Sequence, residues 1–266
     1  MNEKKAGSSA FLGCYAKHLG GCNGKSQEHY ISKSILETIG PFEIGGFPWL
    51  ATGERRQVSA NALTASILCQ NHNSLLSGFD SEANKFISHL KLFDSKTTPE
   101  ELREIAPVIR IDGIKLEKWL LKTLCGTLAS GNYLIEGKGF GKISVSEYLV
   151  DLLFSTKPWK LGVGLYAEYG DLAQINSFGG IGYDPVLAKQ GTHADIVGID
   201  VHFWGFPLRG LFATYEKNHP LKNHRPRGFH IVNGSITREI KFIWPLNSFT
   251  SDFRVFTKTG TIRPTA

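Results

Sequence analysis

Apolar positions change their period along the chain. Phe79, Ala83, Phe86, Ile87 and Leu90 fall at i, i+4, i+7, i+8 and i+11, the stripe of one helix face. Asp80 or Ser81 stands where a cap would start that helix. The run KLEKWLLKTLCGTLAS, with Leu116, Trp119, Leu120, Cys125 and Leu128, predicts a second amphipathic helix, and SVSEYLVDLLF at 144–154 a third. From residue 160 onward LGVGLYAEY, ADIVGIDVHFW, GFHIVNGS and TREIKFIW are rich in β-branched and aromatic residues separated by turn signals, so a mostly antiparallel sheet is expected. Near the start, EHYISKSIL reads as a strand, and the Gly- and Pro-rich run at 37–58 as a loop or irregular insertion. GKGFGK at 137–142 lacks the spacing of a phosphate-binding loop and reads as a turn. The fold class expected is α+β. It divides into an N-terminal module over 1–95, a polar connector over 96–110, and a helix-plus-antiparallel-sheet domain over 111–266.

Charge sharpens this division. The chain carries a formal net charge of +6, yet residues 1–95 hold nine Lys/Arg against eight Asp/Glu, while residues 217–266 hold nine against two. A basic C-terminal part points to a polyanionic partner, nucleic acid first among them. The segment KNHPLKNHRPRGFH at 217–230 has four Lys/Arg, three His and no acid. Lys222, Arg225 and Arg227 are the residues expected there to track a phosphate backbone. The polar start shows no signal peptide, and no stretch approaches the roughly 18 apolar residues a membrane span needs. A cytoplasmic protein that does not enter membranes is expected.

In a reducing compartment spaced cysteines serve as metal ligands more often than as disulfides. Cys14 and Cys22 frame CYAKHLGGC, and Cys69 and His72 frame CQNH. A Cys-x2-His turn aims two donors at one point, half of a tetrahedral zinc site. Cys14, Cys22, Cys69 and His72 would complete one, although His18 lies between the first pair and could replace one of the cysteines. Cys125 has no partner at ligand spacing and reads as a core thiol. His193, Asp195, Asp200 and His202 read as positions on a half-exposed strand pair rather than as a second metal site.

The order Cys14, Cys22, Glu28-His29, Cys69, His72-Asn73 resembles the HNH endonuclease family, whose ββα-metal module is framed by zinc half-sites. The segments at 22–32 and 68–77 carry the similarity, and the matched region covers about residues 14–83. Ser32 stands where the family often has Pro, and His72 where it commonly has Cys. The resemblance implies a structural Zn²⁺ and a catalytic Mg²⁺ or Mn²⁺. His29 would be the general base, with Glu28 and Asn73 as ligands of the catalytic cation. The family's middle Asn, which orients the base, falls closest to Asn61; Ser77 matches an occasional further ligand. It also implies hydrolysis of nucleic acid, DNA ahead of RNA, to 5′-phosphate and 3′-hydroxyl ends. The double-stranded substrate would be engaged in a restriction, phage-defence or mobile-element setting. The C-terminal domain would then serve recognition, homodimer formation or sensing. The competing expectation is a zinc-stabilised protein that binds nucleic acid without cutting it. Because neighbours on a regular strand face opposite ways, Glu28 and His29 can address one phosphate only through an irregular backbone. Otherwise Glu28 orients a neighbour.

Overall fold

The computed structural model describes residues 11–91 and 107–258, except 136, 140, 168–172, 176–180, 191–192, 204–205, 214–222, 234–235, 247, 249 and 253. The chain enters through a 3-10 turn, Lys17–Leu19, and a short strand β1, Glu28–His29. The expected longer strand stops there. Ser32 turns the backbone and α1 follows, Lys33–Ile39. Ile35 and Leu36 are buried, and Ile39 completes their face one turn on. The segment expected to be irregular forms a hairpin, β2 (Phe42–Gly45) against β3 (Arg55–Val58). Phe42 and Ile44 face inward while Glu43 and Gly45 face out, the period of two that the glycines obscured. These residues join Tyr30, Ile31, Leu36, Phe47 and Leu63 in a small core of their own. A second 3-10 turn, Ala60–Leu63, leads to β4, Thr64–Ala65, which returns antiparallel to β1 with Glu28 opposite Ala65 and His29 opposite Thr64.

Helix α2 runs Gln70–Lys91 and thus starts well before the expected cap. Its buried stripe is His72, Leu76, Ala83, Phe86, Ile87 and Leu90. A polar residue opens that stripe, which hid the first two turns from a hydrophobic reading. Asp80 lies mid-helix and caps nothing.

The expected connector at 96–110 lies outside the described residues up to 106; its last positions belong to β5, Val108–Asp112, where Ile109 and Ile111 alternate inward. Helix α3, Gly113–Ser130, is capped by the Asp112 side chain, which accepts from Lys115 N at 3.1 Å, and ends on Gly131 at φ 74°. It is buried nearly all round rather than on one face, including Glu117 and Lys122. Close approach explains one of its residues: a Cβ on Gly126 would lie 2.7 Å from that of Tyr30. Only glycine therefore lets α3 rest against the residue that follows His29. Helix α4, Glu147–Phe154, is capped by Ser146.

A two-stranded hairpin, β6 (Leu134–Ile135) and β7 (Lys138–Gly139), precedes α4; of the run expected as a turn, Lys138 and Gly139 form its second strand. The remaining strands form two larger sheets. The first is antiparallel throughout: β10 (Ile181–Gln190), β11 (His193–Phe203), β12 (Phe206–Leu211) and β8 (Gly164–Tyr166), adjacent in that order. The second has the order β5, β14 (Ile236–Ile243), β13 (Gly228–Asn233), β15 (Arg254–Lys258), β9 (Ala173–Ile175). Only its β13–β14 pair is antiparallel; the other three pairings are parallel. The antiparallel expectation thus holds for one sheet and fails for the other. One parallel pairing comes from β5, which joins β14 from more than a hundred residues upstream; the other two come from β15, which lies parallel to both β13 and β9. A common core joins α2, α3 and both sheets. Phe86 of α2 lies 5.8 Å from Phe206 and 6.0 Å from Phe242, centroid to centroid.

Candidate functional site

Two distant segments are laced together before any side chain is considered. Tyr15 N donates to Ile67 O, Ser26 N to Leu68 O, and Gln70 N to Gly24 O, at 2.9, 3.1 and 2.8 Å. Gly20 and Gly21, at φ 76° and 66°, turn the first segment back on itself and deliver Cys22. Cys69 precedes α2, whose first turn carries His72 inward. The result is a group in which the ligand atoms of Cys14, Cys22, Cys69 and His72 lie within 4.8 Å of one another. His72 Nδ1 is 3.4 Å from Cys14 Sγ, 3.6 Å from Cys22 Sγ and 3.2 Å from Cys69 Sγ. Metal–sulfur bonds of about 2.3 Å and a metal–nitrogen bond of about 2.05 Å at a tetrahedral angle require roughly 3.6 Å between such atoms. The donor set therefore fits one metal ion such as zinc. Burial, with the neighbouring Cys14 and Cys69 sulfurs, pushes the Cys22 thiol up to about 12. A bound cation would reverse that, since it favours thiolates. His18 is not a member: its Nε2 lies 2.8 Å from Asp151 Oδ1 on α4.

The paired strands next to this group carry the expected active-site residues. Glu28 points inward and is buried, whereas His29 is half-exposed, the alternation of a regular strand. The side chain of Asn61, in the turn before β4, hydrogen-bonds the His29 ring. His29 Nε2 is buried with no hydrogen-bond partner. Burial lowers the His29 pKa, Asn61 opposes the change, and the Lys33 and Lys122 charges add to the lowering. Asn73, on the first turn of α2, donates from Nδ2 to Ser26 Oγ at 2.8 Å and bonds the Glu28 carboxylate. Asn61 is thus brought to His29 and Asn73 to Glu28, the two pairs lying on opposite faces of β1. Ser77 is exposed, and its hydroxyl donates to Ser74 O within α2 at 2.9 Å.

A residue without a sequence signature at 14–83 dominates the Glu28 side. Lys122 of α3 is 2% exposed, with Nζ 2.7 Å from Glu28 Oε1 and 2.6 Å from Asp80 Oδ1. The Ser32 hydroxyl donates to Asp80, and the Trp119 indole donates to Ser32 Oγ at 2.8 Å. Burial raises the Glu28 pKa against the pull of Lys122. For Lys122 burial acts downward, and Glu28 with Asp80 overcomes it, so the ammonium is held charged. The available signal was a lysine inside LLKTLCG, an apolar run that burial of α3 would close around. Glu28 and Asn73 do not fit a divalent catalytic cation in this arrangement. The Glu28 carboxylate is already neutralised, and a second cation on it would face the Lys122 charge at close range.

The expected basic loop divides three ways. Lys222 lies outside the described residues. Arg225 is no surface cation: its guanidinium binds Glu117 with two bonds of 2.9 Å and lies over the Trp244 ring. A buried carboxylate on α3 needs that partner, which draws the arginine inward. Arg227 is exposed, its backbone N–H donating to Ser251 O at 2.9 Å.

The chain matches no protein-family model, no curated protein and no solved structure. Among the described residues no helix is long and apolar enough to cross a membrane.

Proposed function

We propose that residues 14–91 form a zinc-stapled ββα module of the HNH type and that the protein hydrolyses phosphodiester bonds in nucleic acid, double-stranded DNA foremost. The observation that carries the reading is the setting of His29. It sits on the first of two antiparallel strands, its ring is held by Asn61, and its Nε2 has no partner. Neither metal binding nor packing requires that combination.

Structural zinc takes all four protein ligands, which closes its coordination sphere and leaves it no substrate position. His29, with a lowered pKa, is neutral at pH 7 and suited to accept a proton. It takes that proton from water as the water oxygen attacks phosphorus. The 3′ oxygen of the scissile bond then leaves with the bonding pair and takes a proton from solvent, giving 5′-phosphate and 3′-hydroxyl ends. Glu28 acts through Asn73 rather than on the substrate, as a positioning residue. Glu28 and Asn73, the residues the resemblance implies for Mg²⁺ or Mn²⁺, are tied to Lys122, Ser26 and each other.

That tie favours one alternative, a protein that holds nucleic acid without cutting it. Incubating zinc-loaded protein with supercoiled plasmid, in parallel with Mg²⁺, Mn²⁺ or chelator, separates the two. The proposal expects nicked or linear product with 5′-phosphate ends. Retarded but intact plasmid in every condition would establish the binding reading instead.

A further inference from the structure

The cleft between the start of α3 and the segment that follows α4 has a volume of about 720 Å³, within the roughly 300–1,000 Å³ of small-molecule sites. None of the residues around His29 lines it. Its walls carry Lys118, Lys157 and Arg225 and no acidic residue. Arg225 is neutralised by Glu117, so the uncompensated charge is that of the two lysines.

Lys118 is the informative one. It is half-buried, and among the described residues it has no carboxylate partner. Its Nζ donates to Ser155 O at 2.5 Å and lies 5.3 Å over the Phe79 ring. A carbonyl and a ring face cover the ammonium without supplying countercharge, and burial alone pulls its pKa down. An anion delivered into a partly desolvated site gains more there than it would in water.

Besides Ser155, Thr156 and Ser248, the rest of the lining is apolar. Trp159 stands edge-on to Phe212 at 5.8 Å, and its indole N–H is already donated to Leu152 O at 3.1 Å, so the ring offers only apolar surface. Leu161 is 56% exposed and Leu246 96%, both bordering the same cleft. Two large aliphatic side chains in water beside a cation without a counterion match a ligand with an apolar body and one negative group.

We propose that this cleft binds a small amphipathic monoanion, a carboxylate carrying an aliphatic or aromatic body, with Lys118 meeting the carboxylate and Trp159, Leu161 and Leu246 covering the body. Charge and apolar surface are both required, which sets the class apart from inorganic anions and from neutral hydrophobes.

The test uses the full zinc-loaded chain and octanoate as probe, followed through the Trp159 indole resonance in a ¹⁵N–¹H spectrum. Octan-1-ol and inorganic phosphate serve as controls. Octanoate should shift that resonance saturably. Octan-1-ol should bind about tenfold more weakly, and phosphate should not move the signal. Lys118→Met keeps the aliphatic stem and removes a half-buried charge, so it should fold and weaken octanoate about tenfold, while Lys118→Arg retains binding. Leu246→Ser should weaken it severalfold. The proposal is overturned if octanoate does not saturate, if octan-1-ol binds as tightly, or if Lys118→Met and Lys118→Arg bind alike.

Discussion

Helix α3 buries two charges of opposite sign, and each is met from a distant part of the chain. Lys122 faces Glu28 and Asp80; Glu117 faces Arg225 and also accepts from Leu165 N at 2.8 Å. Removing one partner of such a pair leaves the other desolvated and unpaired, at a cost of about 3–5 kcal/mol. Arg225→Met should therefore lower stability by about that much, measured by urea denaturation, and the double variant Glu117→Leu/Arg225→Met should recover most of it. A double variant no more stable than the single one would mean that packing, not charge, is at stake. His224 supplies the pH counterpart. Burial pushes its pKa down to about 4, against the bond from Nε2 to Val163 O. Between pH 6.5 and about 4 the unfolded chain binds a proton that the folded one refuses, so this contribution to stability is complete above pH 6.5 and is lost as pH falls through that window. The loss is on the order of 3 kcal/mol for a shift of this size. His224→Gln should flatten the acid limb of the stability curve; a curve parallel to wild type would contradict the assignment.

At the level of elements, the metal group and the strand–strand–helix order are what tie 14–29 to 64–91. Their backbone bonds are few, and β1 and β4 are two residues each. Two-stranded pieces of that length hold no fold by themselves, so a metal ion held by Cys14, Cys22, Cys69 and His72 would add a local cross-link to the shared core. Cys69→Ser should release the metal, seen by elemental analysis, and lower the melting temperature of wild type by several degrees. Unchanged metal content would rule out Cys69 as a ligand. Much of this was legible in the sequence because ligand chemistry restricts residue type and spacing together: Cys14, Cys22, Cys69 and His72 are the group the chain assembles. The start of α2 was not legible, since a buried His72 breaks the apolar stripe, nor was the β2–β3 hairpin, whose alternation spans two apolar residues between glycines. Arg225 departs from the expected surface position for a related reason. Charge density along a segment does not tell which cation a buried carboxylate a hundred residues away will draw inward.

Across the whole molecule, the residues near the metal group do not stand apart from the rest. Leu68, Leu76 and Phe86 share one core with Trp119, Phe206 and Phe229, and α3 touches both sides of it. Gly126 packs against Tyr30 and Lys122 grips Glu28, so the geometry around His29 is set partly by residues beyond 111. Glu28, His29, Asn61 and Asn73 could be named from the sequence as candidates, but the support of their geometry could not, because it comes from α3 through tertiary packing. That His29 performs chemistry in this setting is tested most directly by comparing two proteins. Wild type and His29→Ala, matched for bound zinc and melting temperature, are incubated with supercoiled plasmid and the nicked fraction is followed with time. Nicking by wild type that disappears in His29→Ala is the predicted result, and equal nicking by the two would contradict it.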